Sequence, residues 1–258
     1  MMNPVYAVHY TKSGNIGDAL ASPLRYLDVR RPVEVVDLGE WDNRGDVVLG
    51  GGGLLFKDTE PQLKSAGDDI AHKRILWGVG TNYMGETKLI HPDWLDGFDL
   101  VGLRDLGSKR LVMCPSCLHP EFDTKRSEPT LDAVVYEHPG EIPLTQFVKW
   151  TNHQPIDAFG AVLDFLALAR VVITNSYHGS YWATLLGREV MTWCPNSNRH
   201  LHTPWPVHIC NAENWENQLK ASLFLFKCKK YPTHWLEWAR KTNMTFYEEA
   251  KALLTRTK

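Results

Sequence analysis

No stretch of this sequence stays apolar long enough to cross a bilayer. The longest apolar passage, from Phe159 to Ile173, is broken by Asp164 and Arg170, well short of the roughly 20 residues that a spanning helix needs. Met1-Met2-Asn3-Pro4-Val5-Tyr6 has neither a basic stretch nor an apolar run, so no secretory leader is expected. Neither sign of charge is in excess: 28 basic and 30 acidic residues leave a net charge of −2. That balance gives no basis for bulk attraction to nucleic acid. A disulfide framework is missing too, because five cysteines are an odd number and suit a reducing compartment. The expectation is a cytoplasmic protein with no transmembrane segment and no nucleic-acid partner. Peripheral membrane association and oligomeric state stay open.

Two familiar motifs are also absent. Ser13-Gly14-Asn15-Ile16-Gly17-Asp18 is not a G-x-G-x-x-G turn, and no lysine follows as in a phosphate-binding P-loop. Cys114-Pro115-Ser116-Cys117, followed by His119, invites a zinc reading, but no second C-x-x-C or H-x-x-x-H lies nearby. No metal is expected, and these thiols are read as buried in a turn between domains. No internal repeat and no low-complexity segment is visible.

What is present is a set of short apolar strands that each run into small polar residues. With 258 residues, of which 43% are hydrophobic, the chain can build one large domain or two ordinary ones. Val5 to Tyr10, Val33 to Asp37, Asp46 to Leu49, Arg74 to Val79 and Asp99 to Leu103 read as strands of a first unit. Asp123 to Thr130 is polar, charged and proline-containing, which suits a linker. Leu131 to Tyr136, Val171 to Ile173 and Val190 to Trp193 read as strands of a second. Leu144 to Trp150 reads as a short amphipathic segment, and Ala158–Ala169 as a helix capped by Asp157. Trp215 to Phe226 and Trp235 to Leu254 read as further helices. The division expected is an N-terminal Rossmann-like domain over 1–124, a second over 125–230 and a C-terminal helix over 231–258.

The strand ends carry the candidate chemistry, because open α/β sheets bind ligands beyond the carboxyl ends of their strands. The densest signal is Val171-Val172-Ile173-Thr174-Asn175-Ser176-Tyr177-His178-Gly179-Ser180. It reads as a strand, a small polar turn, and a helix that opens after Gly179 and stops at Gly187. The first amides of such a helix lack intrahelical partners and are free to donate to an anion. His178 at that junction is either a general acid or an anion partner, or it merely satisfies a carbonyl in a capping turn.

In the first unit, Gly14, Asn15 and Gly17 permit a tight turn before Asp18, which either caps a helix or turns a carboxylate toward a cleft. Gly50, Gly51, Gly52 and Gly53 follow a strand directly; side chains are removed where a ligand or another backbone approaches. Asn82 and Arg104 stand at two further strand ends, and a guanidinium fork there suits carboxylate or phosphate unless Asp105 neutralises it. The polar loop Cys194 to His200 adds Arg199. Ten tryptophans supply either core area or platforms for sugar rings, which composition does not separate.

Gly14-Asn15-Ile16-Gly17-Asp18, the Gly50–Gly53 run, Leu103-Arg104-Asp105 and Ile173-Thr174-Asn175-Ser176-Tyr177-His178-Gly179 occur in that order. Together they resemble the polysaccharide pyruvyl transferase family, over roughly residues 5 to 195. The resemblance implies two Rossmann-like domains facing a cleft in a glycosyltransferase-B-like arrangement, with C-terminal helices packing back on the core. It implies transfer of a pyruvyl group from phosphoenolpyruvate to a sugar of a polysaccharide or a lipid-linked oligosaccharide, with no cofactor. The family's T-x-R-x-H-G segment becomes T-N-S-Y-H-G here, so Arg104 or Arg199 has to supply the charge that Ser176 lacks. By this resemblance His178 and Asp18 act as acid and base, while Arg104, Asn175, Ser176, Tyr177, Gly179 and Arg199 bind the donor. Two other readings remain: a nucleotide-sugar glycosyltransferase, with Glu189 or Glu213 to grip a ribose, and a non-catalytic glycan- or anion-binding protein.

Overall fold

The computed structural model describes residues 3–193, 197–228 and 234–255. Cys194, Pro195 and Asn196 of the expected polar loop, the first two residues, and parts of the 125–230 and 231–258 divisions lie outside the described residues.

Alternating apolar residues build two parallel five-stranded sheets. The first contains β1 (Val5–His9), β2 (Val33–Asp37), β3 (Asp46–Gly50), β4 (Arg74–Val79) and β5 (Leu100–Leu103), in the order β2-β1-β3-β4-β5. The second contains β6 (Leu131–Glu137), β7 (Lys149–Thr151), β8 (Ala169–Thr174), β9 (Glu189–Trp193) and β10 (His208–Cys210), in the order β10-β9-β8-β6-β7. Counted within each sheet, both orders are 2-1-3-4-5. The molecule is a Rossmann-like α/β protein of two topologically equivalent halves. No repeat marks this in the sequence, because strand order depends on alternation and connection length, not on residue identity. In each half the strand order reverses beside the first strand, and a ligand crevice opens at such a point.

The strand faces are well separated. In the first sheet Val5, Val48, Ile75 and Trp77 face one way, and Val8, Val47, Leu49 and Leu76 the other, as the two-residue period requires. The second group packs against α2 (Glu60–Gly67), which the sequence pattern did not mark. In the second sheet α3 (Phe159–Ala167) and α4 (Tyr177–Leu185) cover one face, and α5 (Trp215–Cys228) covers the other. The last helix, α6 (His234–Thr255), ties the halves together. Trp235 and Ala239 near its start join the core beneath α3 and α4, whereas Phe246, Ala250 and Leu254 lie against the first sheet. Asn243 fixes the crossing point: its Oδ1 accepts from Trp77 Nε1 at 2.8 Å and its Nδ2 donates to Met113 O at 3.1 Å.

Three local expectations change. Leu144 to Trp150, read only as a short amphipathic segment, ends in the edge strand β7, whose three residues are too few to show alternation. β10, equally short, gave no signal. Asp157 caps nothing, because a 3-10 turn at Ile156–Ala158 precedes α3 and no side chain caps the helix. Asp18 is no cap either. Asn15 fills that role for α1 (Ile16–Ala19), its Oδ1 accepting from Gly17 N at 3.0 Å.

Candidate active site at the facing strand ends

The central turn after β8 is shaped by its own hydroxyls. Thr174 Oγ1 accepts from Ser176 N at 3.0 Å, and Ser176 Oγ accepts from Gly179 N at 3.3 Å. Ser176 is therefore the N-cap, and α4 starts at Tyr177, three residues earlier than the sequence pattern indicated. At the far end, Gly187 has φ +71°, with Gly187 N on Thr184 O and Arg188 N on Ala183 O, both at 2.9 Å. That pair of bonds is a Schellman motif. His178 occupies the second helical position, where the backbone N–H has no intrahelical acceptor.

A cavity of about 270 Å³ opens between the two sets of strand ends. Asp18, Asn15, Gly53, Asn82 and Arg104 reach it from the first half, and Ser176, Tyr177, His178 and Arg199 from the second. Tyr10, Ser13, Phe56 and His138 line it as well, although the sequence pattern singled out none of them. His138 had a usable signal, because it directly follows an apolar strand just as Arg104 does. Gly14, Gly17, Gly51, Gly52, Asn175 and Gly179 are not brought to the cavity wall. Gly51 packs against Ala21, and Gly52 adjoins Asp18 from behind. A Cβ at Gly17 would overlap the His178 ring, so this glycine lets the two halves meet at the histidine. Gly179 spends its amide on the cap. Asn175 is scaffold: its carbonyl oxygen accepts from Arg199 Nη2 at 2.9 Å and from His200 Nε2 at 3.1 Å.

The two arginines dominate the electrostatics. Arg104 is 1% exposed, and its Nε and Nη1 have no hydrogen-bond partner. Among the described residues it forms no ion pair, and the neighbouring Asp105 instead accepts Thr81 N at 2.8 Å. Its guanidinium carbon lies 3.3 Å from the centroid of the Tyr177 ring; Tyr177 stacks on Tyr181, and Tyr181 in turn on Trp205. This aromatic column holds the cation without neutralising it. Arg199 also keeps a buried, unpartnered Nε. Burial, then Arg104, lowers Arg199 to about 10, so it is still charged at neutral pH. Its loop is anchored to the opposite half by Asn198, whose Oδ1 accepts from Tyr83 N at 3.0 Å and whose Nδ2 donates to Lys88 O at 2.9 Å.

The titratable groups respond to this positive, desolvated space. Burial, then Arg104 and Arg199, holds His178 well below the usual histidine range. Its Nε2 lies 3.4 Å from Cys114 Sγ. Burial, then Arg199, lowers His138 to about 4. Asp18 is raised by burial, against the pull of a Ser13 hydrogen bond and of Arg104 and Arg199. The pocket thus holds two guanidinium cations, one carboxyl group and two neutral imidazoles. Such a site favours a small ligand carrying more than one negative charge.

No tryptophan lines the cavity: Trp77 and Trp182 are fully buried, and Trp205 acts only from behind, in the column beneath Arg104. Glu189 and Glu213 are not at the cavity either. Glu189 starts β9 at the opposite end of the sheet, 3.6 Å from His208 Nε2, and Glu213 lies in the exposed turn before α5.

No family model matches the chain, and no curated protein matches it. Among solved structures, an uncharacterized protein from Klebsiella pneumoniae subsp. pneumoniae is similar with a TM-score of 0.49 and 15% identity, over 90% of each chain.

Proposed function

We propose that the protein is a pyruvyl transferase, which moves a pyruvyl group from phosphoenolpyruvate to a sugar of a polysaccharide or glycan precursor in a glycosyltransferase-B-like cleft. The observation that carries this reading is the pair Arg104 and Arg199, whose buried N–H groups without partners face a cavity that also holds His178 and Asp18. Phosphoenolpyruvate brings a carboxylate and a phosphate, and two guanidinium forks beside a helix start suit both. The arginines supply the charge that Ser176 lacks in the T-N-S-Y-H-G segment.

The steps balance without a cofactor. His178 gives a proton to the methylene carbon, which becomes the methyl group and leaves oxocarbenium character on the central carbon. A sugar hydroxyl attacks that carbon and Asp18 takes its proton. The phosphate departs with the electron pair of the carbon–oxygen bond and takes the proton held by Asp18, and a second hydroxyl closes the ketal, its proton returning to His178. Donor binding prepares the acid: negative charge between Arg104 and Arg199 offsets the repulsion that keeps His178 neutral, so proton uptake accompanies binding. The geometry offers nothing to grip a ribose at Glu189 or Glu213, which disfavours a nucleotide-sugar donor.

The test is ligand-induced thermal stabilisation. Phosphoenolpyruvate at 100 times its dissociation constant should add about 2.7 kcal/mol, and His178→Ala should keep that binding while turnover falls by roughly 10²-fold or more. Stabilisation by nucleotide sugars alone, or unchanged turnover in His178→Ala, would overturn the proposal.

A further inference from the structure

The residues leaving β1 alternate between two cavities. Tyr10 faces the site just described, whereas His9 lines a second cavity of about 440 Å³. The two cavities share Asn15 as a wall. The second lies beside the carboxyl ends of β1 and β2, and Gln154, Pro155 and Ile156 close it from the other half.

Three features mark it as a built site. His9 is 3% exposed and its Nδ1 has no hydrogen-bond partner, a costly arrangement unless a ligand meets it. Burial, then Arg25, lowers its pKa to about 4, so it enters as a neutral imidazole that serves a hydroxyl. Arg25 is exposed at the rim and has no ion-pair partner among the described residues. Val35 on the edge strand is 63% exposed and stands with Pro155 and Ile156 as an apolar wall. A cation, a hydroxyl-seeking imidazole and an apolar wall are together the recognition set for a sugar that carries an acid group.

We propose that this second cavity binds an acidic sugar unit of the acceptor, with its carboxylate or phosphate on Arg25, a hydroxyl on His9 and its ring against Val35 and Ile156. The word acceptor rests on the pyruvyl-transfer reading; the binding site itself does not. Because the cavities adjoin at Asn15, a unit held here presents the next sugar of the chain to Asp18 and His178.

Calorimetric titration with glucuronate, glucose 6-phosphate and glucose tests the site, using the full chain and two surface variants, Arg25→Gln and Val35→Glu. At least one acidic sugar should bind more tightly than glucose, and each variant should weaken it roughly tenfold while the response to phosphoenolpyruvate is unchanged. A preference for glucuronate assigns a uronate unit, and a preference for glucose 6-phosphate a sugar phosphate. Absence of binding by both acidic sugars, equal affinity for glucose, or full affinity in Arg25→Gln would overturn the proposal. So would loss of acidic-sugar binding in Arg104→Met, which would place the sugar in the first cavity. Silence toward phosphoenolpyruvate with acidic-sugar binding intact would instead remove the donor reading and leave the subsite standing.

Discussion

Two buried arginines sit at opposite ends of the first sheet. Arg74 opens β4 at its amino end and is 0% exposed; Arg104 follows β5 at its carboxyl end and is 1% exposed. Every guanidinium nitrogen of Arg74 donates. Its Nε donates to Ala66 O at 3.2 Å, Nη1 to Gly45 O, and Nη2 to Asn43 O at 3.0 Å and to the Asp69 carboxylate. Arg104 has an aromatic ring beneath it and no carboxylate, and two of its nitrogens are unsatisfied. The same side chain at the same burial is thus structural at one end of the sheet and uncommitted at the other. An unpaired buried cation costs stability, and a chain tolerates that cost where a ligand supplies the missing anion. Burial alone would have equated the two sites; the hydrogen-bond inventory separates them.

Substitution by methionine, which keeps the bulk and removes the charge, should split the pair most widely. Arg74→Met removes the ion pair to Asp69 and the donor to the Asn43 and Gly45 carbonyls, so stability to urea should fall by about 3 kcal/mol with ligand binding unaltered in the folded fraction. Arg104→Met should keep or raise the midpoint of the unliganded protein and abolish the stabilisation by phosphoenolpyruvate. If Arg104→Met unfolded the chain as Arg74→Met does, Arg104 would be a structural arginine and the contrast would collapse.

Titration should sharpen the same contrast. The carboxyl-end cluster keeps histidines uncharged: His138 at about 4, His200 at about 3, and His178 well below its ordinary range, each mainly through burial. A histidine held lower in the folded than in the unfolded chain gives stability that is fully present above about 6.5 and is lost as pH falls toward the folded value. Asp105, raised to about 6 mainly by burial, acts in the opposite sense, adding stability as pH falls below that value, but it is outnumbered. Stability should therefore drop steeply below pH 6.5. His200→Gln keeps a donor for Asn175 O and removes one titrating group, so its loss between pH 7 and pH 5 should be smaller by about 2 kcal/mol. An unchanged acid limb in that variant would show that His200 is charged when folded.

Eight of the strands were visible as apolar runs, because four to seven residues leave a pattern that three do not; β7 and β10 are the shortest and were invisible. The matched strand order of the two halves was hidden for a different reason, since β6 and β1 share a role without sharing residues. At the site, Arg104 was readable as a polar residue at a strand end, and Asp18, His178 and Arg199 as polar residues of the turns and loops that follow strands. What spacing could not reveal is whether a polar group is already spent. Asn15 and Ser176 each cap a helix, Gly179 gives its amide to that cap, and Asn175 receives two donors on its carbonyl. Only the three-dimensional hydrogen-bond pattern distinguishes those committed groups from the open ones beside them.

Ser176 offers the finest cut of the comparison, because it is a committed group standing within the uncommitted cluster. Its Oγ satisfies Gly179 N, and it lines the cavity with Tyr177 and His178. Ser176→Ala should cost about 1 kcal/mol of stability, the usual value of an N-cap. It also frees an amide at the start of α4, which adds a donor for an anion while loosening the turn that aims His178. Phosphoenolpyruvate affinity should therefore hold within about threefold, with the penalty falling on turnover. A collapse of affinity comparable to that in Arg104→Met would mean that the hydroxyl grips the donor itself, and the cap would be secondary to binding.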